Sequence, residues 1–115
     1  MTWEALSALA LALPGVEAGA SYGTPALRVR KTLLARLRED GESVVLPVGG
    51  LDEQEALIAS EPAVYFLTDH YQGWPCVLVR LASAGPEHVQ GLLVRTWRAK
   101  APKRLVSAYG AERPA

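Results

Sequence analysis

The chain has 115 residues, half of them hydrophobic and 21% charged, and its twelve basic and twelve acidic side chains cancel to a formal net charge of zero. That length suits one domain with a real core and leaves no room for a second, and no apolar run approaches the roughly 18 residues of a membrane span. Zero net charge argues against a strong polyanion binder, and the single cysteine, Cys76, allows no internal disulfide, which points to the cytoplasm.

The start, Met1-Thr2-Trp3-Glu4, lacks the positive flank of a secretory signal. A helix is expected over residues 3–13, capped by Thr2, with Trp3, Leu6, Leu9, Ala10 and Leu13 as its apolar stripe. Pro14-Gly15 stops it. A short extended piece over 18–22 leads to a Gly23-Thr24-Pro25 turn. Residues 27–30 alternate apolar and basic, as a half-buried strand does, and 33–39 repeat the pattern less cleanly. Asp40-Gly41 signals a hairpin, with 43–48 as the returning strand. Gly49-Gly50 breaks the sheet. Asp52 then opens a second helix, with Glu55 completing a capping box and Pro62 ending it. Residues 64–67 and 76–82 read as two further strands. Gly85-Pro86-Glu87 starts the last helix, whose stripe is Val89, Leu92, Leu93, Thr96 and Trp97.

The resulting order, α-β-β-β-β-α-β-β-α, predicts an α+β fold: a meandering antiparallel sheet with helices packed on one face. Short turns between adjacent strands exclude a doubly wound parallel design.

Charge is unevenly distributed. Arg28, Arg30, Lys31, Arg36 and Arg38 fall in one short stretch, Arg95, Arg98, Lys100, Lys103 and Arg104 in another, and most acids lie between. By strand alternation Arg28 and Arg30 point one way, as do Arg36 and Arg38, so two strands are expected to present four guanidiniums on one surface. Arginine suits phosphate because its planar fork donates two bonds at once. The competing interpretation is a solvated sheet face whose arginines discourage edge pairing. Lys103-Arg104, just past a helix end at Pro102, fits either phosphate contact or compensation of the helix dipole.

Thr68-Asp69-His70-Tyr71-Gln72-Gly73-Trp74-Pro75 places polar and aromatic groups between two apolar runs, where they must find partners or do a job. In an extended chain Asp69 and His70 point to opposite faces, so no catalytic dyad is expected and no catalytic residue is assigned. Asp69 and Thr68 are expected to bond turn amides, with Tyr71 and Trp74 packed beneath. Cys76 reads as a buried, inert thiol. His70 and His88 with one cysteine give no metal-ligand spacing, and no phosphate loop is present, so neither a metal nor a cofactor is expected.

The segments Tyr22-Gly23-Thr24-Pro25-Ala26-Leu27-Arg28-Val29, Thr68 to Pro75 with Val77-Leu78-Val79-Arg80-Leu81, and Trp97 with Ala101-Pro102-Lys103-Arg104-Leu105 match, in order and spacing, the MmcQ/YjbR family of small bacterial proteins. The chain resembles that family over nearly its whole length. It differs at Leu27, where an aromatic is common, and at Cys76, where a bulkier residue often stands. The resemblance implies a CyaY-like fold, frataxin-like in outline. It also implies DNA as a partner, through a double-wing arrangement of β-hairpins with low sequence specificity. Arg28, Arg30, Arg36, Arg38, Lys103 and Arg104 are then the candidate phosphate contacts. The rival expectation is a small-molecule-binding protein or enzyme with a pocket around Tyr22, Asp69, His70, Tyr71 and Trp74. The sequence leaves the oligomeric state open.

Overall fold

The structure, a computed structural model, describes residues 1–21 and 23–112, and side chains as far as Tyr109. Helix α1 (Trp3–Leu11) begins where Thr2 Oγ1 accepts from the Ala5 amide at 3.1 Å, and it buries Leu6 and Ala10. Gly15, at φ 78°, turns the chain into β1 (Val16–Ser21). Strands β2 (Thr24–Val29), β3 (Thr32–Leu37) and β4 (Ser43–Pro47) follow as a meander. Helix α2 (Leu51–Ser60) then carries the chain over to β5 (Tyr65–Phe66), and β6 (Cys76–Arg80) enters between β4 and β5. The six-stranded sheet has the order β1-β2-β3-β4-β6-β5 and is antiparallel throughout. Helices α3 (Pro86–Lys100) and α4 (Lys103–Glu112) complete the chain. The fold class is thus α+β, with the expected order of elements and one helix more.

The helices cover one face. Leu6, Ala10, Leu57, Val89, Leu92, Leu93 and Trp97 pack there on Leu27, Val29, Val44, Leu46, Val77 and Val79. Trp97 is fully buried, and its indole N–H donates to Pro14 O at 2.9 Å. Trp3 is half-buried against the same core. The opposite face carries a smaller cluster, Val45, Cys76 and Leu78, with Phe66 and Tyr71 packed on it. A bulge at Leu27/Arg28 lets Leu34 and Ala35 both face the main core.

Several boundaries differ from expectation for local reasons. The strand expected over 27–30 ends at Val29, because Arg30 adopts φ 58° and, with Lys31, turns β2 into β3. The expected capping box at Asp52 and Glu55 does not form. Helix α2 starts one residue earlier, at Leu51, with Gly50 as its cap and no side-chain cap bond. The strand expected over 76–82 stops at Arg80, since Leu81–Ser83 winds into a 3-10 turn. Lys103 and Arg104 do not trail a finished helix but open a new one, α4, after the Ala101-Pro102 break.

Candidate nucleic-acid interface

The two sequence-predicted site regions lie in different parts of the fold. Tyr22 lies outside the described residues. The Thr68–Pro75 segment is not extended: Asp69–Tyr71 is one 3-10 turn, with the Tyr71 amide bonded to Thr68 O at 3.0 Å. Asp69 and His70 are both exposed, and no hydrogen bond among the described residues joins their side chains. The His70 ring instead meets the Tyr71 ring edge-on, with centroids 4.9 Å apart.

Tyr71 packs down as expected, onto the smaller cluster, and Trp74 does not. The Trp74 side is 66% exposed, because its backbone is held from below. Trp74 O accepts from the Gln54 amide at 2.5 Å and from the Cys76 N–H at 2.8 Å, while Gln54 also donates to Cys76 O at 2.7 Å. Gln54 is buried and was not singled out from the sequence. The available signal was a polar residue at the i−3 position of the Leu57 stripe. Burial pushes the Cys76 thiol up, which keeps it in its unreactive protonated form.

The expected surface of four guanidiniums is not formed. Alternation does send Arg36 and Arg38 to one face, but the Thr68–Pro75 loop roofs that face. Arg36 is only 7% exposed; it donates to Tyr71 Oη at 2.8 Å, to Thr24 Oγ1 at 3.1 Å and to Glu39 Oε1 at 3.1 Å. Burial pulls its pKa down, but the bonds with Glu39 and Tyr71 outweigh that and leave it raised. Arg38 Nη1 donates to Ser43 Oγ at 2.9 Å and approaches Asp40 Oδ2 at 3.5 Å. Both arginines fasten the hairpin and its roof. Arg28 is half-buried and donates to Ala20 O at 3.2 Å.

A second set of cations gathers at one end of the molecule. The β2–β3 turn places Arg30 and Lys31 at the end of the sheet marked by the Val29↔Thr32 pair. Val16, paired with Val29, brings Gly15 to the same end. Gly15 is in turn closed over by the Leu105 side chain of α4, since a Cβ built on it would lie 2.6 Å from Leu105 Cδ1 and 3.6 Å from Val29 Cγ2. The Trp97 bond to Pro14 brings the last turn of α3 there too. Arg30, Lys31, Lys100, Lys103 and Arg104 are all exposed at or beside this end, and none of them enters an ion pair among the described residues. Glu17, opposite Arg28 in the β1–β2 register, is the acid nearest to it along the sheet.

A cavity of about 720 Å³ opens at the other end of the sheet, between Trp3, Leu37, Ser43, Phe66 and Arg80. None of Asp69, His70, Tyr71 or Trp74 lines it, so the expected pocket around them is not this cavity. Among the described residues no group of three His, Cys, Asp or Glu side chains is placed to hold a metal ion. No described helix is long and apolar enough to cross a membrane.

Over 69 aligned residues the chain is 44% identical to an uncharacterized protein of Mycobacterium bovis and to uncharacterized proteins of two strains of Mycobacterium tuberculosis. Each alignment takes in 60% of this chain and 54% of the relative, so the chain spans about half the length of the curated relatives it matches. No solved structure matches significantly. The YjbR family model matches residues 11–99, from the end of α1 to the last turn of α3, with all six strands included, and the chain belongs to that family.

Proposed function

We propose that this protein binds nucleic acid weakly and with little sequence preference, through the cationic end formed by the β2–β3 turn and the start of α4. One observation carries the reading: Arg30, Lys31, Lys103 and Arg104 converge without carboxylate partners among the described residues, and three of them sit where the fold disfavours them. Arg30 occupies a left-handed conformation that costs a non-glycine residue about 1–2 kcal/mol. Lys103 and Arg104 stand in the first turn of α4, at the positive end of its dipole, where an acid is favoured. Backbone strain and misplaced charge tend to persist where they serve a ligand. The hairpin tip also supplies a wing of the kind that the family resemblance implies. Arg36 and Arg38 are left out of the interface, being committed to Tyr71, Glu39 and Ser43.

The test is fluorescence anisotropy of the full chain with labelled DNA across a salt series. The logarithm of the binding constant should fall linearly with the logarithm of salt, and neutralising Arg30, Lys31, Lys103 or Arg104 singly should lower the slope's magnitude by about one. Arg36→Gln should change stability, not the slope. Absence of binding at about 50 mM salt, or binding that survives all four neutralisations, overturns the reading.

A further inference from the structure

We propose that the preferred ligand of this end is a single strand rather than a duplex, with the exposed Trp74 indole as the platform on which one base stacks. The inference rests on the nucleic-acid reading above and adds the class of strand and the residue that selects it.

Among the described residues Trp74 is the most exposed of the large hydrophobic side chains. An exposed indole on a mobile loop would mean little, but this one is displayed from a pinned backbone. Its carbonyl takes the two bonds from Gln54 and Cys76, and its own N–H donates to Tyr71 O at 3.1 Å. The next carbonyl, Pro75 O, accepts from the Val48 amide at 2.9 Å. Rigid display lowers the entropy lost when a base lands on the ring. Leu51, at 47% exposure, lies one turn before Gln54 on the same side of α2 and extends the apolar surface.

The register puts this platform at the cationic end. Pro47 pairs with Cys76, Arg36 with Val45, and Val29 with Thr32, so the chain enters β6 at the end where the Arg30-Lys31 turn projects. From β3 to β6 are two strand spacings, about 10 Å across the sheet, and from β1, beside which α4 starts, there are four, about 19 Å. A few nucleotides of single strand cover such a span with phosphates at one side and a base at the other.

Charge near the platform selects against a duplex. Asp52 follows Leu51 and is exposed, as is Asp69 in the same loop as Trp74, while Glu53 is held by Arg95 at 3.1 Å. A rigid duplex laid across this end presses phosphates onto Asp52 and keeps its base faces stacked internally. A single strand turns a base toward Trp74 and leaves its phosphates on Arg30, Lys31, Lys103 and Arg104.

The experiment compares the full chain's affinity, at one salt concentration, for labelled oligothymidylate, a duplex of equal length, and an abasic strand of equal length. Oligothymidylate should bind about tenfold or more tightly than either competitor. Trp74→Ala should remove that advantage with the salt slope unchanged, whereas Trp74→Phe should keep most of it. Binding should also quench tryptophan emission in the parent protein and not in Trp74→Ala. Equal affinity for strand and duplex, or a Trp74→Ala loss shared by both, overturns the proposal, and an intact salt slope then leaves the nucleic-acid reading standing. If neither nucleic acid binds, both fall.

Discussion

Arg30 and Asp40 sit at the tips of successive hairpins, and each shows how one residue is fitted to a turn at a different cost. Arg30 takes a φ of 58°, which glycine adopts without penalty. Arg30→Gly should therefore raise stability by about 0.5–1 kcal/mol in urea denaturation, glycine's greater entropy in the unfolded chain offsetting part of the relief. The same substitution should weaken DNA binding and lower the salt slope by about one, so that stability and binding move in opposite directions. At the other hairpin, Gly41 supplies the left-handed residue, and Asp40 secures the turn by accepting from the Glu42 and Ser43 amides at 2.9 Å and the Ser43 hydroxyl at 2.8 Å. Partial burial raises the Asp40 pKa, but these bonds and Arg38 outweigh it and hold the carboxyl below its ordinary value of 3.8. A carboxyl lowered on folding contributes stability that is complete above its ordinary value and fades as pH falls through the folded one. Asp40→Ala should accordingly be less stable than the parent at pH 7, and acid titration of the two proteins should narrow the gap as the pH falls below 3.8 and through the lower folded value.

Among the elements, α4 and the Thr68–Pro75 loop are the least self-sufficient. Helix α4 begins with two cations at its positive end and holds to the rest through Leu105, Val106 and Tyr109, whose ring meets Trp97 edge-on at 5.1 Å. Lys103→Glu should stabilise the protein by about 0.3–1 kcal/mol by reversing the clash with the dipole, and should weaken DNA binding at low salt. Calorimetry and anisotropy on the same variant check both signs. The loop, by contrast, is held through its neighbours: Gln54 from α2, Val48 from the end of β4, and Arg36 from β3 beneath Tyr71. This fastening uses the Tyr71 side chain and otherwise the loop's backbone. The bonds expected from the Thr68 and Asp69 side chains to turn amides are not formed among the described residues; the backbone Thr68 O and Asp69 O accept them instead, Tyr71 caps a cluster, and Asp69, His70, Gln72, Trp74 and Pro75 face outward.

For the molecule as a whole, stability rests on the core between the helices and the sheet. The helical layer and the sheet enclose the main core, with Trp97 at 0% exposure joining α3, α4 and the turn before β1. Trp97→Ala should cost about 3–5 kcal/mol in denaturant, from the lost indole and the void it leaves. A cost below about 1 kcal/mol would mean that the ring does not pack as described. The cationic end lies outside that core, so its substitutions should weaken binding without loss of stability, whereas Trp97→Ala should lower stability.

The sequence by itself determined which segments become strands and helices, and most of the core, because those depend on periodicity over neighbouring residues. Alternation at period 2 marked the β2–β3–β4 meander, Asp40-Gly41 marked its hairpin, and the 3.6-residue stripe ending at Trp97 marked α3. It missed α4, whose stripe is short and begins straight after Pro102. Alternation also placed Arg36 and Arg38 correctly on one side of their strand. What it could not say was whether that side meets water, since the roof arrives from Tyr71, 35 residues beyond Arg36. The same holds for Gln54, whose partners Trp74 and Cys76 are 20 and 22 residues away. Only the tertiary structure decided that Arg36 is a fastener, that Trp74 faces outward, and that Arg30 and Lys103 share one end. Period and turn chemistry act along the chain, whereas exposure and convergence depend on which distant segment lies across the space that a side chain enters.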